Sequence, residues 1–338
     1  MADVLISTRV RRSICYCRHR RSSLGGPTAT TWSLRASKKP LSAVESCSNR
    51  IQELCEALSN RDVPEVLDFL PACDDDGEAP SSSSRGTSSH FVSGSSISAA
   101  FGLQSEGASA LVSAAKCFDA CAQRMLFYGT PSQSRVLSSM AIGDMTCVQR
   151  LFVEGASGEE AILTFQCIKE ERLAAIYRGG GIIEEFVVEN VTGEPVGEAP
   201  EQPDKRNPPE AVVSAQLRAL EARDVGRVFA FASPENRAVT GPVDRFATML
   251  STPPYDVLMG AQELRVVRSA QLSREKFLAV VEARGTRSGD DASTPALNRA
   301  FVWSVELQVE SGLWLTSGVM PAQPPPPPEG TSIPMFDL

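Results

Sequence analysis

Apolar positions recur at helical spacing in two separate parts of the chain, and each helical part precedes stretches in which apolar and polar residues alternate. In the first half, helical spacing covers 41–70 and about 106–127, and alternation runs through Cys147, Leu151 and Val153 and again from Ala161. The second half predicts helices at about 209–221, 224–232 and 243–250, and strands at 263–270, 277–284, 301–310 and 313–320. Helices followed by a strand meander predict an α+β fold in which the helices cover one face of a curved antiparallel sheet.

One helical segment occurs twice. The pattern Ala57-Leu58-x-x-Arg61-Asp62-Val63-x-x-Val66-x-x-Phe69 returns 162 residues later at 219–231. This offset is too long for a solenoid repeat, so it indicates two tandem copies of one whole domain. In each copy the Asp is placed to cap the second helix, which explains the Asp but leaves the two arginines without a structural role.

Three polar segments lie within, between and after the predicted domains. Residues 72–98 hold an acidic run and a serine run, and we expect a disordered insertion there. Residues 190–208 are polar and rich in proline, as in a linker, and 321–338 form a proline-rich tail with polyproline II character. The sequence thus predicts one domain over 43–189 and a second over 209–320.

The charge is distributed unevenly. Residues 1–40 carry nine Lys/Arg and one acidic residue, a sum of +8, whereas the whole chain is at −8, so the remainder is at −16. An acidic body disfavours non-specific nucleic-acid binding. The Arg- and Ser-rich, acid-poor 1–40 segment is typical of an organelle transit peptide, with chloroplast favoured and mitochondrion as the alternative. No window reaches 18 uninterrupted apolar residues, so no membrane span is expected.

Cysteine and histidine usage disfavours a metal centre. All nine cysteines precede residue 168, at irregular spacing and in odd number, which favours reduced thiols. Cys117 and Cys121 lie four residues apart on a predicted helix. This spacing would suit a metal or redox pair, but two buried apolar thiols are the favoured interpretation. The two histidines, His19 and His90, fall in the basic segment and in the insertion. We therefore predict no metal and no cofactor.

A family resemblance rests on the second half. The segment 231–237 (Phe-Ala-Ser-Pro-Glu-Asn-Arg), Pro254-Tyr255, Trp303 and Gly312-Leu313-Trp314 resemble a domain-of-unknown-function family within the nuclear transport factor 2-like (NTF2-like) superfamily of cone-shaped α+β domains. Residues 43–189 look like a divergent member, and the tandem chain is similar to uncharacterised plant and algal chloroplast proteins. The resemblance implies two tandem cones, each with N-terminal helices on a curved sheet. It does not imply one activity, because ketosteroid-isomerase-like and SnoaL-like enzymes share this fold with non-catalytic domains.

The sequence contains no catalytic signature. Tyr255, Trp303 and Phe301 are the candidates to line a ligand pocket, although packing alone would also explain such aromatics. Candidate acids in the first half are Asp119, Asp144 and Glu185, none with an evident partner. We expect a non-enzymatic organellar protein that binds a protein partner or an apolar small molecule, as a dimer or with its two domains paired. The alternative is an isomerase- or dehydratase-like enzyme that uses a carboxylate or Tyr in one cone.

Overall fold

A computed structural model describes residues 42–71, 92–103, 109–173, 181–259, 261–285 and 297–322. Two α+β halves follow each other, each with helices and a four-stranded antiparallel sheet, which confirms the predicted fold class of two tandem domains. The first half contains α1 (Ala43–Asn60), α2 (Val63–Asp68), α3 (Gly94–Phe101), α4 (Ser109–Ala114), α5 (Ala120–Gln123), β1 (Pro131–Ile142), β2 (Thr146–Gly155), β3 (Glu160–Leu173) and β4 (Ile182–Pro195). The second contains α6 (Pro209–Glu221), α7 (Val225–Ala230), α8 (Pro234–Thr240), α9 (Val243–Leu250), β5 (Glu263–Ser273), β6 (Lys276–Gly285), β7 (Leu297–Gln308) and β8 (Leu313–Pro321).

The repeated segment forms the helical entry to each half. Asp62 accepts a hydrogen bond from the backbone N–H of Glu65 (3.2 Å), and Asp224 accepts one from Arg227 (3.0 Å), so the capping interpretation is confirmed. The preceding arginines adopt left-handed backbone, with φ of 59° at Arg61 and 58° at Arg223. This conformation lets the chain leave one helix and start the next within two residues in the first half and three in the second.

The two arginine side chains differ in their surroundings. Arg61 donates to the carbonyl oxygens of Phe127 (2.5 Å) and Gly129 (3.4 Å), and its guanidinium lies 4.8 Å from the ring centroid of Phe101. Arg223 is exposed. The backbone role therefore belongs to both copies, whereas the side-chain role belongs to the first.

Both sheets are meanders in which each strand pairs with the next, and two of their register shifts lie at corresponding places. The first strand of each sheet has a shift after Val136 and after Val266, and these two residues face Leu151 and Val281. A second pair of shifts follows Gln166 and Ser304, where the extra residues, Glu189 and Ser317, lie on the fourth strand of each sheet. Such bulges bend a strand and increase its twist, so both sheets curve at matching positions.

These shifts define equivalent positions in the two sheets. Gln149 pairs with Phe165 in the first sheet as Ala279 pairs with Trp303 in the second. Val188, opposite Cys167, likewise corresponds to Thr316, opposite Val305. On the helices, the 162-residue offset makes Leu54 equivalent to Gln216.

Several predicted boundaries differ from the structure. The helix expected over 106–127 is broken at Phe118 and Asp119, because Asp119 caps a new helix, α5, and that helix continues into a π-helical turn, Arg124–Tyr128. The prediction of disorder over 72–98 is wrong for 94–98, which belong to α3; residues 72–91 lie outside the described residues. The predicted linker, 190–208, begins inside β4, since that strand continues to Pro195.

The two halves also touch through polar side chains. The described residues of both halves belong to one compact unit. Arg124 donates to Glu159 (2.7 Å) in its own half and to Glu210 (2.7 and 2.8 Å) at the start of α6, and it also reaches Gln271 (3.2 Å) on β5. Burial alone would lower the pKa of Arg124, but the two carboxylates outweigh it and raise that pKa. Arg124 is 6% exposed, so this cluster is a buried ionic contact between the halves.

None of the described helices combines the length and the apolar character needed to cross a bilayer.

Candidate functional site

A groove of about 570 Å³ lies in the first half, between α1 and the inner face of β1. Its rim carries polar side chains from both elements, among them Gln52 and Glu56 on α1 and Ser134 on β1. Its floor is formed by inward-facing residues of β2 and β3, including Leu151, Leu163 and Phe165. The volume falls within the range of small-molecule sites, and an apolar floor with a polar rim is their common composition.

The groove is bordered on one side by an exposed strand, β1. Almost every residue of β1 is exposed, including Val136 (53%), whereas alternate residues of the neighbouring β2, namely Cys147, Gln149, Leu151 and Val153, are buried. The sequence analysis did not predict this strand. Its serines and its mixed apolar content, Pro-Ser-Gln-Ser-Arg-Val-Leu-Ser-Ser-Met-Ala-Ile, show no clean alternation.

At the corresponding place, between the helix that follows the parallel bridge and the first strand of the sheet, the second half carries additional chain. Phe118 and Ala232 each form a parallel bridge to the last strand of their own sheet, just before α5 and α8. After the first of these helices and its π-helical turn, only Gly129 and Thr130 precede β1. After α8, residues 241–262 intervene before β5, and they contain α9 and a 3₁₀ turn, Tyr255–Val257. Val257 and Leu258 of this segment are 1% exposed and join the second core.

The predicted pocket residues lie in that second core. Phe301 is fully buried, Trp303 is 1% exposed, and their ring centroids are 6.3 Å apart. Tyr255 stacks on Phe301 at 6.0 Å and donates its hydroxyl to the carbonyl oxygen of Val319 (3.0 Å). The structure thus brings the three aromatics together in packing contact. They do not line the groove of the first half.

The groove floor contains a buried amide that the sequence analysis missed. Gln149 is 1% exposed, and its side-chain oxygen has no hydrogen-bond partner among the described residues. The signal was present in the sequence, because Gln149 occupies the inward position between Cys147 and Leu151 on an alternating strand. A polar residue in that register is the exception that marks a site.

Three buried thiols lie one layer along the sheet from Gln149. Cys147 and Cys167 are paired across β2 and β3, and both interact with Cys47 on α1. Burial and Cys47 raise the pKa of Cys147 to about 12; hydrogen bonding to Cys167 and burial raise the pKa of Cys47. Among the described residues, Cys47, Cys55, Cys121, Cys147 and Cys167 form no disulfide. The raised pKa values of Cys47 and Cys147 disfavour nucleophilic chemistry at these thiols.

The candidate acids of the first half lie elsewhere. Asp119 accepts hydrogen bonds from the N–H groups of Ala122 (2.8 Å) and Gly193 (2.7 Å), and burial raises its pKa. Asp144 is exposed beyond the end of β1, and Glu185 lies 3.5 Å from Arg50. None of the three lines the groove.

The described lining has one carboxylate, Glu56, which is exposed on α1 and accepts a hydrogen bond from Gln52 (3.0 Å). Within the described part of the chain, no group of three or more His, Cys, Asp and Glu side chains is arranged to hold a metal ion. Both histidines, His19 and His90, lie outside that part. The chemistry that the groove offers is therefore apolar contact and neutral hydrogen bonding at its floor, with one carboxylate at its rim.

Comparison with known proteins identifies a family only for part of the second half. Residues 202–282, less than a quarter of the chain, match a family described as a domain of unknown function (DUF4864). No curated protein matches the chain.

Two solved structures show remote likeness. One is the solution structure of RPA3114, a SEC-C motif containing protein from Rhodopseudomonas palustris, with 19% identity over 34% of this chain and 79% of that protein, at a TM-score of 0.27. The other is an NTF2-like protein involved in plasmid conjugation, with 9% identity over 58% of this chain and 78% of that protein, at a TM-score of 0.23. With TM-scores this low, neither likeness bears on the function of the chain.

Proposed function

We propose that this chain is a non-enzymatic binding protein with two NTF2-like halves, and that the groove of the first half binds an apolar small molecule. The observation that carries the proposal is the contrast between the halves. The second core is filled by its own Trp303 and by the 241–262 segment, whereas the first half leaves about 570 Å³ over an apolar floor. Burying a ligand on that floor would remove apolar surface from water.

The described carboxyl groups with a raised pKa lie away from the groove, which supports binding rather than catalysis. A general acid or base needs a pKa tuned towards neutrality and a place beside the substrate. The acids with raised pKa, Asp119 and Glu210, serve helix capping and the contact between the halves. We therefore assign the second half a structural role, in which it holds the first through Arg124.

A fluorescence titration with N-phenyl-1-naphthylamine, an uncharged apolar dye, tests this proposal. Ser134 is exposed on the inner face of β1 and lines the groove, so Ser134→Trp should occupy the groove without disturbing a packed core. Ser138 is exposed on the same strand but pairs with outward-facing Arg150 and does not line the groove. Ser138→Trp is thus the matched control.

We expect saturable binding of one dye per chain to the wild type and to the Ser138→Trp variant, and at least tenfold weaker binding to Ser134→Trp. Equal affinity in the two variants would place the dye elsewhere and refute the groove assignment. No binding to the wild type would refute the proposed function for this ligand class.

Localisation remains a proposal carried by the basic 1–40 segment, which lies outside the described residues. We propose import into the chloroplast, with the mitochondrion as the alternative. A fluorescent reporter fused after residues 1–45 should accumulate in plastids, and a diffuse cytosolic signal would refute organelle import.

A further inference from the structure

We propose that the groove of the first half selects an apolar molecule bearing a hydroxyl group, and that this hydroxyl donates its hydrogen to the side-chain oxygen of Gln149. The inference rests on the proposed function and adds the chemical class of the ligand. It starts from an imbalance in the groove floor: an amide oxygen is buried there, and the described residues provide no donor for it.

The second half shows how this fold satisfies a buried amide internally. Gln216 on α6 is 2% exposed, and its oxygen accepts from the indole nitrogen of Trp303 (3.1 Å) and the hydroxyl of Thr316 (2.6 Å). Its nitrogen donates to the carbonyl oxygen of Val228 (3.0 Å). Every group of that amide that needs a partner at this depth has one, as is usual for buried polar groups.

The first half has lost each of these partners and gained an amide from a different element. The positions equivalent to Gln216, Trp303 and Thr316 are Leu54, Phe165 and Val188, which are apolar and at most 2% exposed. The position equivalent to Gln149 is Ala279 in the second half. The amide therefore enters from β2, on a floor that has no donor to offer.

The nearby thiols do not provide the hydrogen-bond donor that the side-chain oxygen of Gln149 lacks. Cys147 and Cys167, one layer along the same strands, interact with Cys47 rather than with Gln149. An unpaired acceptor at 1% exposure costs free energy that a partner in the groove would recover. The groove is the side from which that partner can come, since Gln149 lines it.

The surroundings select a neutral donor. The floor beside Gln149 consists of Leu151, Leu163 and Phe165, which offer no counter-charge to a buried ammonium group. A carboxylate would place a negative charge against the amide oxygen. A hydroxyl group on an apolar body matches both the acceptor and the floor.

Isothermal titration calorimetry with two matched probes tests the assignment. 2-Naphthol carries the hydroxyl, and 2-methoxynaphthalene has the same ring system but no donor. We expect 2-naphthol to bind the wild type about tenfold more tightly, as one hydrogen bond to an otherwise unpaired buried acceptor implies. In Gln149→Ala, which installs the residue of the second half, this preference should fall to about onefold.

Controls separate the amide from the groove and from folding. Gln166→Ala removes an amide on exposed β3 surface that bonds to Glu189 (2.7 Å), and it should keep the tenfold preference. Gln149→Met preserves side-chain volume if the alanine variant does not fold. Should neither probe bind the wild type, the proposed function fails for this ligand class. Should both bind with equal affinity, or should the preference persist in the Gln149 variants, the groove binds but the hydroxyl assignment is overturned.

Discussion

Replacing Arg124 by methionine should destabilise the folded chain by about 3–5 kcal/mol, because the change leaves two buried carboxylates without their cation. Arg124 is 6% exposed, and the side chains of Glu159 and Glu210 are 9% and 19% exposed, so solvent screens little of the lost attraction. With a total unfolding free energy of about 5–15 kcal/mol, this is a large share. Since each kcal/mol shifts Tm by about 2–4 °C in a protein of this size, Tm should fall by about 6–20 °C.

A rescue variant distinguishes the charge from the packing. Glu159→Gln and Glu210→Gln combined with Arg124→Met remove both orphaned charges and keep hydrogen-bonding groups, so most of the loss should be recovered. Arg150→Met is the surface control: Arg150 forms a 2.6 Å pair with Glu194, but the side chains are 45% and 61% exposed, and such pairs contribute about 0–1 kcal/mol.

The destabilisation should also depend on pH with a defined sign. Burial raises the pKa of Glu210, and Glu159 adds to the shift while Arg124 opposes it. A carboxyl group whose folded-state pKa lies above its unfolded value stabilises the fold in its protonated form, and this contribution is lost as pH rises through the raised pKa. Without Arg124 the pKa of Glu210 rises further. The loss of unfolding free energy caused by Arg124→Met should therefore be smaller at pH 5 than at pH 7.

Urea unfolding and calorimetry of the four proteins at pH 5 and pH 7 provide the measurement. The reasoning is refuted if Arg124→Met unfolds at the wild-type midpoint, if the triple variant is no more stable than the single one, or if the Arg124→Met loss is the same at both pH values.

Three further predictions concern the backbone and the thiols. Arg223→Gly should raise the free energy of unfolding by about 0.5–1 kcal/mol, because it relieves left-handed backbone strain at an exposed residue. Arg61→Gly should instead lower it by about 1–2 kcal/mol, because the side-chain contacts of Arg61 are lost. Equal effects of the two variants in urea unfolding would contradict this. Gly193→Ala places a Cβ 2.7 Å from the sulfur of Cys121 and should cost about 1–3 kcal/mol, whereas Gly318→Ala meets nothing within 4 Å and should change stability by under about 0.5 kcal/mol; similar midpoints would argue against tight packing at Gly193. At pH 8 iodoacetamide should leave Cys147 unmodified in the folded protein and alkylate it in urea, as mapped by mass spectrometry; rapid native labelling would contradict its burial.

The second half could be predicted in detail because its strands alternate cleanly. Phe301, Trp303 and Val305 show one buried face in the sequence, and four strands were found where the alternation places them. The capping role of Asp62 and Asp224 was equally local, since it depends on residues three positions apart.

The candidate site could not be predicted because it depends on the shortness of one connection in the first half rather than on a motif. β1 is exposed on both faces, so it lacks the alternation that burial imposes, and it went unpredicted. The groove exists because two residues stand where the second half has 22, 241–262, and a short connection carries no periodic signal. Whether Trp303 lines a pocket or packs in the core likewise depends on partners such as Gln216 that are distant in sequence.

The matched register shifts identify equivalent positions in the two sheets, which sequence identity does not. After Val136 and Val266, and after Gln166 and Ser304, the strands bend at corresponding points although the neighbouring residues differ. A stability measurement at one sheet position therefore has a defined counterpart in the other half, as Gln149 has in Ala279. The second half therefore serves as an internal control, because each substitution in the sheet of the open first half can be repeated at the equivalent position of a filled sheet of the same curvature.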